Sequence, residues 1–256
     1  MSIAFLQPQW SAPHGVRAAF SLRSGGASAA PWNSLNLGLH VGDDPLAVHD
    51  NRARVRHALD LPAEPVWLEQ VHGTDVVMLD RARIDAQRNG APPPRADAIV
   101  TREANAVLAI MVADCLPVLL SSEDGAVIAA AHAGWRGLAA GVLERTVAAM
   151  AVTGGRLQAW LGPCIGIEHF EIGPEVRETF LAAGDDAEHF RVNPRGKFQC
   201  DLAGLARARL ARLGVAQLSG GGWCTAADPV RFYSHRRDQR TGRMAALLWR
   251  AGAGDR

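Results

Sequence analysis

The chain has 256 residues, 48% of them hydrophobic, and a formal net charge of +1. That length is enough to bury a sizeable core. The near-neutral charge argues against a general nucleic-acid or membrane-surface binder, and no apolar run approaches the ~20 residues that a membrane span needs.

Residues 1–8 lack a basic region followed by an apolar core, so they do not read as a signal peptide. Residues 16–22 predict a strand that runs into Arg23-Ser-Gly25-Gly26, where a glycine pair can turn backbone N–H groups toward an anion. The polar loop 31–44 carries Asn36 and His40, and a loop of that length is often functional. Pro45 suits the first turn of a helix over 45–59, with Asp44 as its cap. Residues 64–79 read as two strands around Gln70-Val71-His72-Gly73, and 87–95 as a loop. Strand patterning returns at 96–101 and 106–112.

The chain is organised around residues 111–137. Two apolar runs flank a polar turn at 121–125, which predicts a buried hairpin or two neighbouring strands. Cys115 interrupts the first run just before Pro117. His132 ends the second, where Gly134-Trp135-Arg136-Gly137 opens a helix expected over 138–150. Further on, 157–161 predicts a strand, 174–181 a helix, and Asp201 caps a helix closed at Gly214. Strands are expected at 215–218 and 244–249, with a basic, turn-rich stretch at 232–243 before the last. No repeat or linker divides the chain, so residues 1–256 read as one α+β domain with mixed sheets.

The four cysteines, Cys115, Cys164, Cys200 and Cys224, form no CxxC pair, which excludes a zinc ribbon or a thioredoxin motif. With no secretory signal, reduced thiols in a cytoplasmic protein are expected. His72, Cys115 and His132 each sit where a strand meets a turn. They offer the donors of a catalytic zinc site, which keeps three protein ligands and one open position. A metal-free alternative makes Cys115 a nucleophile and His132 its base. A buried thiol beside two hydrogen-bonded histidines is the third possibility. Asp114 adjoins Cys115 and either orients a ligand or is simply a turn residue. Arg136, at a helix start, is suited to a phosphate or carboxylate, or else is a solvated side chain beside a packed Trp135. His169-Phe170-Glu171 matches half of the zinc-deaminase signature, but no PCxxC follows.

The blocks Gln70-Val71-His72-Gly73, Ala113-Asp114-Cys115-Leu116-Pro117 and His132-Ala133-Gly134-Trp135-Arg136-Gly137 resemble the laccase-domain family, also called the YfiH family or peptidoglycan editing factor. Residues 21–28, 34–44, 162–166, 234–237 and 241–243 are similar to further family blocks, so the resemblance runs from about Ala18 to Trp249. It implies a layered α/β/β/α fold, shared with a cysteine-hydrolase toxin domain. It also implies a zinc-binding purine nucleoside enzyme that cleaves adenosine, inosine and methylthioadenosine with phosphate and deaminates adenosine. His72, Cys115 and His132 fall on the family's metal ligands. Cys115, His132, Asp114 and Arg136 are the candidate catalytic residues. Arg23, Asn36, His40, Gln70 and Arg237 lie in the family blocks and are the candidate substrate-binding residues. Copper-dependent polyphenol oxidation and a Cys/His hydrolase that edits peptidoglycan precursors are the alternatives. The expected partners are purine nucleosides and phosphate, with no nucleic acid and no membrane, and the expected state is a monomer.

Overall fold

In the strand Val107–Val112 (β5), successive side chains point to opposite faces. Leu108, Ile110 and Val112 enter one apolar cluster, while Val107, Ala109 and Met111 enter another. A strand buried on both faces needs a covering layer on each side. The computed structural model, which describes residues 3–215 and 217–251, shows both layers.

The first sheet has the order β1 (Phe5–Leu6), β2 (Val16–Ser21), β13 (Met244–Arg250), β5. The second runs β12 (Gln217–Gly220), β8 (Leu157–Leu161), β6 (Leu116–Ser122), β7 (Ile128–Ala133), β4 (Ala98–Thr101), β3 (Val76–Leu79). Both edge pairs of this sheet are parallel and its inner pairs are antiparallel, so the sheet is mixed. Between the sheets, Phe20, Leu108, Ile110 and Leu248 meet Ile99, Leu119, Ala130 and Trp160.

The outer face of the first sheet packs on Val55 of α1 (Pro45–Ala58), with Leu35, Leu37 and Trp67. The outer face of the second packs Val100, Val118, Leu120 and Ala131 on Leu143, Val147 and Met150 of α4 (Val142–Met150) and on Leu205 of α6 (Leu202–Arg212). The layers are therefore α/β/β/α, as the resemblance implied. Asp44 caps α1 by accepting from the Leu46 N–H, and Asp201 caps α6 by accepting from the Gly204 N–H.

Several elements differ from expectation, each for a local reason. The helix expected over 138–150 is broken into α3 (Trp135–Ala139) and α4, because Gly141 at φ 96° takes a left-handed turn between them. Of the two strands expected in 64–79, only β3 forms. The segment before it meets the free edge of β5 through one isolated bridge, Val66 to Leu108, with the Val66 N–H donating to the Val107 carbonyl at 2.8 Å. The helix α2 (Arg81–Arg88) buries Ile84 alone, so it lacks an apolar stripe to read in the sequence. A small sheet of β10 (Phe190–Val192), β11 (Phe198–Cys200) and β9 (Glu171–Ile172) is built from strands too short to show a period. The predicted strand at 215–218 includes Ala216, which lies outside the described residues. The helices α5 (Pro174–Ala182) and α7 (His235–Asp238) complete the set.

Candidate metal centre

The register of the second sheet explains why distant residues meet. Ala98 of β4 pairs with Ala131 of β7, which sets Asp97 opposite His132, and the His132 N–H donates to the Asp97 carbonyl at 2.7 Å. Leu116 of β6 pairs with Ala133, which brings Cys115 to the same end. Val76 of β3 runs parallel to β4 against Ala98, so the loop before β3 delivers His72 there too. The ligand atoms of His72, Cys115 and His132 all lie within 4.8 Å of one another. The His72 Nε2 is 3.7 Å from the Cys115 Sγ, and the two imidazole rings stand edge to face with centroids 4.8 Å apart.

One residue that the sequence reading did not single out holds this arrangement. The buried Asp97 carboxylate accepts from the N–H groups of Val71 at 3.2 Å, His72 at 2.9 Å and Gly73 at 2.6 Å. It also accepts from the His132 Nδ1 at 2.8 Å, which leaves Nε2 of that ring for the centre. Asp97 thus does two jobs. It clamps a loop in which His72 sits at φ 60°, a costly conformation for a non-glycine residue, and it fixes the tautomer and orientation of His132. The one sequence signal was an acid placed directly before the apolar run Ala98-Ile99-Val100.

The charges form a coupled set. Burial pushes the Cys115 thiol up, but the His132 charge and hydrogen bonds from His132 and His72 outweigh it and bring the thiol down to about 6. Burial pushes His132 down, yet Cys115 and Asp97 raise it to about 9. Burial would also raise Asp97, but its bonds to His132 and Gly73 hold it below its ordinary value. A thiolate beside an imidazolium is what results without a metal; the thiolate is already the form that a soft or borderline cation takes up, and the imidazolium would give up its Nε2 proton on binding. The donor chemistry therefore fits a metal ion. Crowding fits it as well: a Cβ at Gly134 would stand 2.9 Å from both the Cys115 Sγ and the His72 Cδ2, so only glycine leaves this wall open.

The other expected residues have different placements. His40 lies near the centre and is exposed, yet partial desolvation, with the charges of Arg243, Arg52, His132 and His72, lowers its pKa. Arg243 itself was not singled out. Burial lowers its pKa while the charges of Cys115 and Asp114 oppose the shift. Asp114, at φ 90°, turns its carboxylate inward to accept from the Thr225 Oγ1 at 2.6 Å and from the Arg236 N–H at 2.6 Å. It fastens the loops around Cys115. Arg136 is exposed, with its guanidinium over the Trp135 ring at 4.4 Å. The helix behind it is only Trp135–Ala139, so the dipole expected there is that of little more than one turn.

Four residues expected at the substrate have their polar groups committed to the protein. Arg23 donates to the carbonyls of Asn33 and Pro229. Asn36 binds Gly38, Asp43 and the Arg243 N–H. Gln70 pairs with both the N–H and the carbonyl of Met111 at 2.8 Å, satisfying the free edge of β5. Arg237 donates to the carbonyls of Thr225, Ala226 and Phe232 and pairs with Asp238. These side chains hold loops in place.

A cavity of about 130 Å³ opens beside Cys115, lined by Trp135, Ile165, Phe170, Leu202, His235 and Arg236 among others. Cavities of about 540 Å³ and 490 Å³ lie elsewhere, around Arg52 and Trp67 and around Trp10 and Gln158.

Residues 17–251 match the family described as multi-copper polyphenol oxidoreductase laccase. The chain belongs to this family. A Pseudomonas aeruginosa protein named purine nucleoside phosphorylase is 50% identical over 96% of this chain and 98% of its own length. The Escherichia coli purine nucleoside phosphorylase YfiH is 49% identical, over 94% of this chain and 97% of its own. Among solved structures, a Neisseria meningitidis protein superposes with a TM-score of 0.89 at 43% identity, covering 97% of this chain and 99% of that one. YlmD of Geobacillus stearothermophilus gives 0.88 at 32% identity with the same coverage. The mixed-sheet α+β fold is thus shared with both of these solved structures. No helix among the described residues is long and apolar enough to cross a membrane.

Proposed function

We propose that the protein is a zinc-dependent purine nucleoside phosphorylase. On this reading it cleaves adenosine, inosine and S-methyl-5′-thioadenosine with phosphate to the free base and the corresponding ribose 1-phosphate, and it also deaminates adenosine. The observation that carries the reading is the His72, Cys115 and His132 group in a chain that is 50% and 49% identical, over nearly its whole length, to proteins named purine nucleoside phosphorylase.

One thiolate and two imidazoles suit zinc, which when bound supplies a Lewis acid. The chain's own residues would do the rest. Asp97 keeps His132 in one tautomer and orientation. Departure of the base builds positive charge at the ribose C1′, so the attacking phosphate must be held against that carbon. Arg136 is the guanidinium we assign to the phosphate, because it is exposed and no carboxylate pairs with it among the described residues. His40, which is exposed, is the group we assign to a ribose hydroxyl. Asp114 positions the loops around the thiol.

Copper in the same donor set is the reading that the family description raises. The chain has nine histidines and no His-x-His pair, and one metal-holding group is found among the described residues. Phosphorolysis therefore stands first. The same reading treats residues 1–256 as one monomeric, cytoplasmic domain, in keeping with its four free thiols; light scattering tests the monomer.

The deciding experiment incubates metal-quantified protein with inosine, with and without phosphate. Ribose 1-phosphate formed only when phosphate is present supports the proposal. No ribose 1-phosphate, with copper-dependent oxygen uptake on a phenol, overturns it. Ammonia released from adenosine without phosphate tests the deaminase activity.

A further inference from the structure

Cys115 belongs both to the metal centre and to the lining of the cavity of about 130 Å³. That space is well below the ~300–1,000 Å³ of sites that enclose a drug-sized ligand, so it takes one ring system rather than a whole nucleoside. Its walls are Trp135, Ile165, Phe170 and Leu202, which offer flat aromatic and aliphatic surface. Such surface suits a nucleobase, because every base has a π-face, and it suits a sugar or a phosphate poorly.

The rim is polar in a way that matches a heterocycle. Both His235 and Arg236 line it. The His235 Nδ1 is 2.6 Å from the Gln239 carbonyl, which can only accept, so Nδ1 carries the proton. The neutral ring therefore keeps its free lone pair on Nε2, an acceptor for a ring N–H or an exocyclic amine. The Arg236 guanidinium lies over the Phe170 ring at 5.5 Å and donates to the Glu171 carbonyl at 2.9 Å, which leaves further N–H groups as donors. A base with both donors and acceptors on its edge finds partners for each. The cavity is also built to stay open at one place: Asp114 holds Arg236 by its backbone N–H, and the Ile165 N–H donates to the Asp114 carbonyl at 2.9 Å.

We propose that this cavity is the subsite for the purine ring, with Trp135, Phe170 and Leu202 as its walls and His235 reading the base edge. The assignment rests on the phosphorylase reading above and names which part of the substrate goes where.

The synthetic direction separates base from sugar, because hypoxanthine and ribose 1-phosphate are then distinct substrates. Leu202→Phe narrows the cavity, Phe170→Leu removes an aromatic wall, and His235→Ala removes an exposed rim group without touching the core. Zinc-loaded wild-type and variant proteins are compared. The KM for hypoxanthine should rise about ten-fold or more in Leu202→Phe and several-fold in the other two, while the KM for ribose 1-phosphate stays within about two-fold. A rise for ribose 1-phosphate with hypoxanthine unchanged gives the cavity to the sugar or the phosphate and overturns the proposal, as does no change in either. If Leu202→Phe fails to fold, His235→Ala carries the test. If wild-type protein makes no inosine, the phosphorylase reading fails separately, and calorimetric binding of hypoxanthine decides the subsite alone. Binding weakened in the variants supports it, and no binding or equal binding overturns it.

Discussion

At the residue scale, Cys115 is defined by its neighbours. An ordinary thiol titrates near 8.5, and this one is brought to about 6 because His132 stands beside it as a cation. The folded-state pKa of Cys115 is depressed, so its contribution to stability is lost as pH falls through about 6. That of His132 is raised, so its contribution is lost as pH rises through about 9. The charged pair therefore stabilises the metal-free fold between those limits. In metal-stripped protein, alkylation of Cys115 should reach half its maximal rate near pH 6, as followed by peptide mapping. Burial drives Cys164 and Cys200 upward, so both should stay unmodified across that range. Asp97→Asn should move the Cys115 midpoint toward the ordinary thiol value, because the imidazolium loses its carboxylate, and should weaken metal binding by about 10–100-fold. A midpoint near 8.5 in the wild-type protein would show that His132 is not charged there.

At the element scale, the centre depends on a close approach at the turn between β7 and α3. Gly134 is the N-cap of α3 with φ −62° and ψ 155°, a conformation open to any residue, so backbone strain does not explain the glycine. The lack of space does: a Cβ would stand 2.9 Å from the Cys115 Sγ and 2.9 Å from the His72 Cδ2. Gly134→Ala should therefore lower metal affinity at least about ten-fold while far-ultraviolet circular dichroism stays that of the native protein. A variant that binds metal like the wild type would mean that β7 and the loop carrying His72 yield more easily than their hydrogen bonds to Asp97 suggest. The same packing splits the helix behind it. Gly141 in the left-handed region ends α3 early and lets α4 restart with Leu143, Val147 and Met150 against the second sheet.

At the scale of the whole molecule, the outer helical layer is joined by a buried ionic network. Asp185, after α5, accepts from the Arg209 Nε at 3.0 Å and from the Arg212 Nη2 at 2.7 Å, both in α6. The Arg209 Nη1 reaches Glu144 of α4 at 3.1 Å. Arg209 is 3% exposed and the Asp185 side chain 0%. Removing one member of such a pair leaves an uncompensated buried charge. Asp185→Ala should thus cost about 3–5 kcal/mol, seen as a fall in Tm of roughly 10 °C in calorimetry. A loss below about 1 kcal/mol would mean that Glu144 alone suffices for Arg209. Metal content should be unaffected, since the network touches none of His72, Cys115 and His132.

Local pattern was enough to place β2, β4 to β8 and β13, whose continuous or alternating apolar runs suit strands at that length, and the capped helices α1 and α6, but it passed over the two-residue β1 and put two strands in 64–79 where one forms. It also marked His72, Cys115 and His132 as candidates, because each stands at a junction of strand and turn, while the resemblance alone put them on a metal site. Elements without such a pattern were silent: α2, with one buried side chain, and the small sheet of β9, β10 and β11. What only the tertiary structure decided was which polar residues face a ligand and which serve the chain. Asn36 is bonded to the Arg243 N–H at 2.8 Å, Gln70 to Met111, and Asp114 to Thr225 and Arg236, all across long stretches of sequence. Asp97 becomes the support of the centre only because β4 and β7 pair in one register. A hydrogen bond between residues far apart in the chain depends on where folding carries both partners. Residue type and spacing record which groups are capable of bonding, and the sheet register and loop packing choose among them.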